Sequence, residues 1–252
     1  MLCAIALVSC SPRVAGSAEP RGTPGQRSAA EPAVTPSVPA PSPSSQAACQ
    51  QPTLLGTVIT NGIVARVAPR PSARAIASFP KINAQGAQQV FDLREAVTGA
   101  DGTLWYRALL PLRPNGTTGF VPSTSLRLTQ TPYRLEVDRV RLRLTLWSGC
   151  RVIGRYQIGM GTADTPTPRG TFYLSSLMKP TTSTSVYGSY AFGLSAYSSA
   201  ITDWRWGGMI GLHGTNDPAS IGKRVSHGCI RMRNADIEHL ARILPLGTPI
   251  EM

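Results

Sequence analysis

Apolar and polar positions are distributed unevenly along this chain, and each pattern predicts a different kind of element. In Arg139-Val140-Arg141-Leu142-Arg143-Leu144-Thr145-Leu146 the two classes alternate strictly, which predicts a strand with one apolar and one arginine-rich face. Ser148-Gly149 reads as a turn, and Arg151 to Gly159 as the strand that returns to complete a hairpin. From Thr57 to about Leu128, short β-like runs are separated by Asn61-Gly62, Pro69-Arg70-Pro71, Asp101-Gly102 and Asn115-Gly116, the rhythm of a small all-β barrel. One segment has a helical period: Ile237, Leu240, Ala241 and Leu244 form a stripe, with Asn234 as N-cap, Pro245 as stop and His239 off the buried face. The expected fold is mainly β with one short helix.

Two stretches lack such periods. Between Ser175 and Leu212 the chain is rich in Ser, Thr and Gly and carries Tyr187, Tyr190, Phe192, Tyr197, Trp204 and Trp206. A loop of this kind predicts walls or a lid over a site, with the packing of rings beneath the loop as the plainer reading for any single aromatic. From Ser11 to about Gln51 the residues are Pro, Ala, Ser and Gly with little to bury, which predicts a disordered tether. Met1 to Ser9 is apolar but far shorter than the roughly 18 residues of a membrane span, so it reads as the core of a signal peptide.

Composition narrows the partners. The 252 residues carry a formal net charge of +12, almost all of the excess being arginine spread along the chain. With only 6% aromatic residues and no interleaving of rings with basic runs, a nucleic-acid platform is disfavoured. A dispersed basic surface suits an anionic envelope of wall polymers, peptide carboxylates or lipid headgroups.

Candidate chemistry is concentrated near the C-terminus, in His213-Gly214-Thr215-Asn216 and Ser226-His227-Gly228-Cys229-Ile230-Arg231-Met232. A thiol attacks as thiolate, and at a pKa of about 8.5 it needs a neighbouring base at neutral pH. His213 and Cys229 are 229 − 213 = 16 residues apart, enough for one strand end to supply the base and a returning loop the sulfur. Gly228 permits backbone dihedrals that let successive N–H groups converge as an oxyanion hole. Zinc held by Cys229 and the two histidines is a competing reading, but neither Cys-x-x-Cys nor His-x-x-x-His spacing is present. No metal or cofactor is expected. Arg231 and Arg233 would share one side of an extended segment, either as a solvated face or with Arg231 meeting a substrate carboxylate.

These residues resemble the signature of the L,D-transpeptidase (YkuD-type) family. The resemblance runs from about Tyr133 to Met252 and includes Thr165-Pro166-Thr167-Pro168-Arg169-Gly170-Thr171-Phe172-Tyr173, similar to the family's substrate-side segment, and Leu246-Gly247-Thr248-Pro249-Ile250. It implies an L,D-transpeptidase-type β-sandwich at 131–252, with Cys229 as nucleophile, His213 as base and the Gly214 carbonyl orienting the imidazole. His227, Gly228 and Cys229 would line the oxyanion hole; Asn216, Arg231, Tyr190, Tyr197, Trp206 and Ser226 would bind substrate or brace the loop. The implied reaction is peptidoglycan cross-linking through a thioester, three-to-three, with release of D-alanine from a tetrapeptide stem and no cofactor. Carboxypeptidase or exchange activity, or a non-catalytic wall-binding protein, are the alternatives.

Residues 52–130 resemble a bacterial SH3-like domain, on Leu104-Trp105-Tyr106-Arg107-Ala108 and Gly119-Phe120-Val121-Pro122. Either a wall-contact module or a packing spacer fits them. Leu7-Val8-Ser9-Cys10 resembles a lipobox, so residues 1–10 would be the signal and Cys10 the lipidated anchor, placing the protein in the cell envelope with membrane contact through lipid only. With Cys3 in the signal, Cys10 acylated and Cys229 kept as a thiol, Cys49 and Cys150 remain, and two such cysteines in an exported protein suggest a disulfide.

Overall fold

A computed structural model describes residues 51–182, 184–203 and 205–252, all within a single compact unit. The expected signal, the expected lipidation site Cys10, nearly all of the expected tether, Cys49 and Trp204 lie outside the described residues. Cys150 is disulfide-bonded, and Cys229 is a free thiol.

The turn signals of the first half separate seven strands: β1 (Thr53–Val58), β2 (Gly62–Arg66), β3 (Ala75–Pro80), β4 (Val90–Thr98), β5 (Leu104–Leu109), β6 (Thr118–Pro122) and β7 (Leu126–Thr131). They form one antiparallel sheet in the order β3-β2-β6-β5-β4-β1-β7. Alternate residues turn inward, so Val58, Ile63, Phe79, Phe91 and Val121 close a core of their own. Phe79 and Phe91 meet edge to face at 5.2 Å.

The second half supplies β8 (Tyr133–Asp138), β9 (Arg143–Ser148), β10 (Arg151–Gln157), β11 (Met160–Gly161), β12 (Thr171–Met178), β13 (Ala191–Tyr197), β14 (Met209–His213), β15 (Arg224–Ser226), β16 (Ile230–Arg231), helix α1 (Asn234–Ile243) and β17 (Pro249–Glu251). Eight of these strands form a sheet in the order β10-β9-β8-β17-β12-β13-β14-β16, and β11 pairs with β15 beside it. Two pairings in the large sheet are parallel, β8 with β17 and β14 with β16. Ile237 and Leu240 of α1 are buried against Leu212, Phe192 and Met232. Burying side chains of this size contributes about 1.5–3 kcal/mol each, so Leu240→Ala would remove a sizeable part of what docks the helix. The molecule is mainly β with one α-helix among the described residues.

Two expectations are corrected. The alternation over 139–146 does not form a continuous strand: residues 139–142 are the turn between β8 and β9, with Leu142 at φ 50°. Asp138 causes this, because its Oδ1 accepts from the N–H of Val140 at 3.0 Å and of Arg141 at 2.8 Å and bends the chain before the alternating residues can pair. Asn234 is not the N-cap either. It lies inside α1, and its side chain reaches away from the helix to another loop.

The sheets share a third apolar cluster in which Leu55, Val90 and Leu109 of the first meet the fully buried Tyr173 of the second. Gly247 passes over this junction at φ 93°, where a Cβ would lie 2.9 Å from Leu55 and 3.0 Å from Val90. Any larger residue there would strain the backbone and press on the ends of Leu55 and Val90. No helix among the described residues is long and apolar enough to cross a membrane.

Candidate functional site

Strand register brings the thiol and the imidazole together. Leu212 pairs with Ile230 and His213 with Arg231 along the parallel β14/β16 ladder, and the Met232 N–H donates to the His213 carbonyl at 2.8 Å. Cys229, one residue before β16, therefore lies opposite Gly211. The Gly211 N–H donates to Cys229 Sγ at 3.3 Å. A Cβ at Gly211 would sit 3.3 Å from His213 Cδ2 and 3.7 Å from Sγ, so the edge of the ring next to Nε2 and the sulfur face the same small space. Only glycine leaves that space open.

His213 is buried, and its Nδ1 lies 2.5 Å from the Gly214 carbonyl oxygen. A carbonyl only accepts, so Nδ1 carries the proton and Nε2 keeps its lone pair. Tyr187 packs edge-on against the ring at 5.1 Å. Burial drives the imidazole down to about 4, against the Gly214 hydrogen bond, which favours the charged form; the Arg231 guanidinium lowers it further. Burial also raises the Cys229 thiol, partly offset by the Gly211 N–H and the charge of Arg231. Both groups are neutral near pH 7.

The cysteine loop is braced by hydroxyls. Ser226 Oγ donates to the Cys229 carbonyl at 2.6 Å and accepts from the Gly228 N–H at 3.1 Å. Thr167 Oγ1 donates to the Gly228 carbonyl at 2.9 Å and accepts from the Gly161 N–H at 3.1 Å, and Thr165 Oγ1 donates to the Ser226 carbonyl at 3.0 Å. Gly228 is held at φ 114°, a conformation that other residues rarely adopt. Asn234 Oδ1 accepts from the Thr215 N–H at 3.0 Å and the Ser189 N–H at 3.3 Å, fixing the chain that follows His213.

A cleft opens over the sulfur, enclosing about 1070 Å³ of space with its open mouth included. His213, Ser226, His227, Cys229 and Arg231 line it together with Tyr187, Ile201, Trp206 and Met209, and Gln85 reaches it from the turn between β3 and β4. No group of His, Cys, Asp and Glu able to hold a metal ion occurs among the described residues.

Residues 132–252 match the family described as the YkuD L,D-transpeptidase catalytic domain. YkuD of Bacillus subtilis is 35% identical over 157 residues, covering 60% of this chain and 88% of that protein. The chain belongs to the YkuD-type L,D-transpeptidase family. YkuD of Bacillus licheniformis is 37% identical over 121 residues, covering 48% of this chain and 66% of that one. Among solved structures, that of Bdellovibrio bacteriovorus Bd1075 is 27% identical with a TM-score of 0.39, covering 48% of each chain.

In this member of the family His213, Ser226, His227, Cys229, Arg231 and Trp206 line one cleft; Gly214 and Gly228 adjoin it in the chain, and three expected residues lie away from it. Tyr197 points into the contact with the first sheet, its hydroxyl donating to the Pro111 carbonyl at 3.0 Å. Tyr190 packs against the core with Lys179 over its ring at 5.7 Å. Asn216 donates to the Thr184 carbonyl at 3.0 Å, a loop brace with no side chain in the cleft. The Gly228 N–H, expected to face an oxyanion, is directed to Ser226. The threonines of Thr165-Pro166-Thr167 hold the cysteine loop from behind instead of facing substrate. Sequence reasoning missed Gly211, Asn234, Gln85 and Tyr187 as site components. Gly211 was signalled by its place two residues before His213 on an alternating strand; the others carry no local signal.

Proposed function

We propose that this chain is a peptidoglycan L,D-transpeptidase acting through a Cys229 thioester. The observation that carries the reading is the 2.5 Å contact from His213 Nδ1 to the Gly214 carbonyl, which leaves Nε2 as a base beside the sulfur. Because thiol and imidazole are both neutral at rest, attack and proton transfer go together. Sγ attacks the carbonyl carbon between the diamino acid and the terminal D-alanine of a tetrapeptide stem as its proton passes to Nε2. The oxyanion is met by backbone donors of the loop, Cys229 N–H among them. The C–N bond then breaks, Nε2–H protonates the leaving amine, and D-alanine departs.

The thioester is resolved by the side-chain amine of a second stem. His213 takes the amine's proton and the thiol recovers it when the C–S bond breaks, giving a three-to-three cross-link. Arg231 meets a stem carboxylate in this reading, supported by its place in the cleft lining and by an ion pair with Asp217 no closer than 3.9 Å. Residues 52–130 serve as a wall-facing module of SH3-like type, Cys10 as a lipid anchor, and the basic surface as an attraction to the anionic envelope.

Incubation with a defined tetrapeptide muropeptide tests this directly. The expected products are free D-alanine and a three-to-three dimer, and a carbapenem should leave one covalent adduct that Cys229→Ala abolishes and chelators do not affect. Tripeptide without dimer would instead identify a carboxypeptidase. No released D-alanine and no adduct, with wall binding retained, would leave only a binding protein.

A further inference from the structure

One wall of the cleft is tied to the first sheet. The turn between β5 and β6, marked in the sequence by Asn115-Gly116, reaches across to the chain leaving β13. Arg113 Nη1 donates to the Ser198 carbonyl at 2.7 Å, and its Nη2 donates to the Gly207 carbonyl at 2.7 Å and lies 3.4 Å from the Ile201 carbonyl. The guanidinium also stacks over Tyr197 at 5.2 Å. Asn115 pairs with the Tyr197 backbone in both directions, donating at 2.8 Å and accepting at 2.9 Å. The Ser198 N–H donates to the Gly208 carbonyl at 2.8 Å, so the carbonyls held by Arg113 belong to the two ends of one closed loop. Ile201, Trp206 and Gly208 of that loop line the cleft.

A second bridge lies nearby. Asn83, between β3 and β4, donates to the Ser175 carbonyl at 3.0 Å, and Gln85 two residues on lines the cleft. Two separate turns of the first sheet thus meet the cleft, one through its wall and one directly.

We propose that the first sheet is part of the substrate cleft, with Arg113 as the positioning residue that sets the Ile201–Trp206 wall. A planar guanidinium suits this, because its fork of donors serves several carbonyls from one rigid plane, whereas an ammonium has no such plane. Arg113 does not touch the reacting atoms. Arg113 acts through the wall, so its loss weakens how substrate is held and leaves the chemistry at Cys229 unchanged. The inference rests on Cys229 being the transpeptidase nucleophile.

The test uses the full chain and two readouts. The first is saturation kinetics of carbapenem acylation by intact mass. Arg113→Ala should raise the half-saturating concentration about tenfold with the maximal rate within about twofold, and Arg113→Lys should recover part of that loss. The second is hydrogen exchange: amides of residues 198–203 should exchange faster in Arg113→Ala, while those of 226–231 keep the parent rate. Arg113→Met, which keeps the apolar stem, repeats both measurements if the alanine variant is poorly folded. Unchanged half-saturation, or unchanged exchange at 198–203, overturns the inference. A parent chain that takes no carbapenem, yet shows the faster exchange in the variant, would sink the transpeptidase reading and leave the positioning role of Arg113 standing.

Discussion

Two parts of the cleft are held by different means. Around the cysteine, Ser226 of β15 and Thr165 and Thr167 of the segment after β11 bond the loop backbone, and the paired strands β14 and β16 set the register of His213 and Cys229. Elsewhere on the cleft, Ile201 and Trp206 belong to a loop whose ends accept hydrogen bonds from Arg113 of the first sheet's β5–β6 turn. The expected reactive pair, His213 and Cys229, is held by local bonds, and the Ile201–Trp206 loop by bonds from residues far off in the chain. Damage to the first part should therefore change the rate of chemistry, and damage to the second the capture of substrate.

The largest effect tests the first part alone. Cys229→Ala should abolish adduct formation, a loss of at least about a thousandfold, because no other thiol among the described residues is free. Residual adduct at that level would place the nucleophile elsewhere.

Gly211→Ala is a finer test of the same part. The added Cβ would meet His213 Cδ2 at 3.3 Å and Sγ at 3.7 Å, in the space the two groups share. A displacement of a few tenths of an ångström there should slow maximal acylation by roughly ten- to a hundredfold with half-saturation little changed. A change confined to half-saturation would mean that Gly211 belongs to the binding wall, and the division between the two parts would fail.

The same division explains what could be read from the chain. His213-Gly214 and Ser226-His227-Gly228-Cys229 are short runs whose chemistry is local, so the expected nucleophile, base and orienting carbonyl are close in the sequence as they are in space. Arg113 and Ser198 are 85 residues apart, and nothing about an arginine before a proline announces three backbone carbonyls as its partners. Tyr197 was misread for the same reason, since an aromatic in a Ser/Gly-rich stretch looks like a wall residue until the neighbouring sheet is known to cover it. The strand expected over 139–146 failed on one side chain, Asp138, whose competing bonds to the backbone outweigh the alternation.

Thr167→Val asks how much the bracing hydroxyls contribute. Thr167 is 2% exposed, and its Oγ1 serves both the Gly228 carbonyl and the Gly161 N–H. A methyl group in its place leaves two buried polar groups unpaired, a loss on the order of 2–4 kcal/mol in urea unfolding. The accompanying fall in maximal acylation should be about tenfold. A stability loss without any effect on rate would show that the loop keeps its geometry unaided.

pH separates the two halves of the molecule by sign. His213 is lowered in the folded state from 6.5 to about 4, so between those values the unfolded chain binds the extra proton and stability falls as pH drops through that window. Asp92 of β4, its side chain 0% exposed, is raised from 3.8 to about 6, chiefly by burial, with Arg94 at 2.6 Å opposing. Here the folded state holds the extra proton, so its contribution is complete below 3.8 and is lost as pH rises through about 6. Asp92 sits where the first sheet meets Tyr173, and its negative charge adds to the burial that raises that hydroxyl. Each group contributes on the order of 2–3 kcal/mol across its window, and the two largely cancel in the parent chain between pH 4 and 6. Asp92→Asn should unmask the histidine: urea unfolding of the variant would show stability rising from pH 4 to 6.5, where the parent is nearly flat. A variant whose pH profile parallels that of the parent would mean that the carboxylate at the junction is not a buried charge, and that the sheets are not coupled to pH through it.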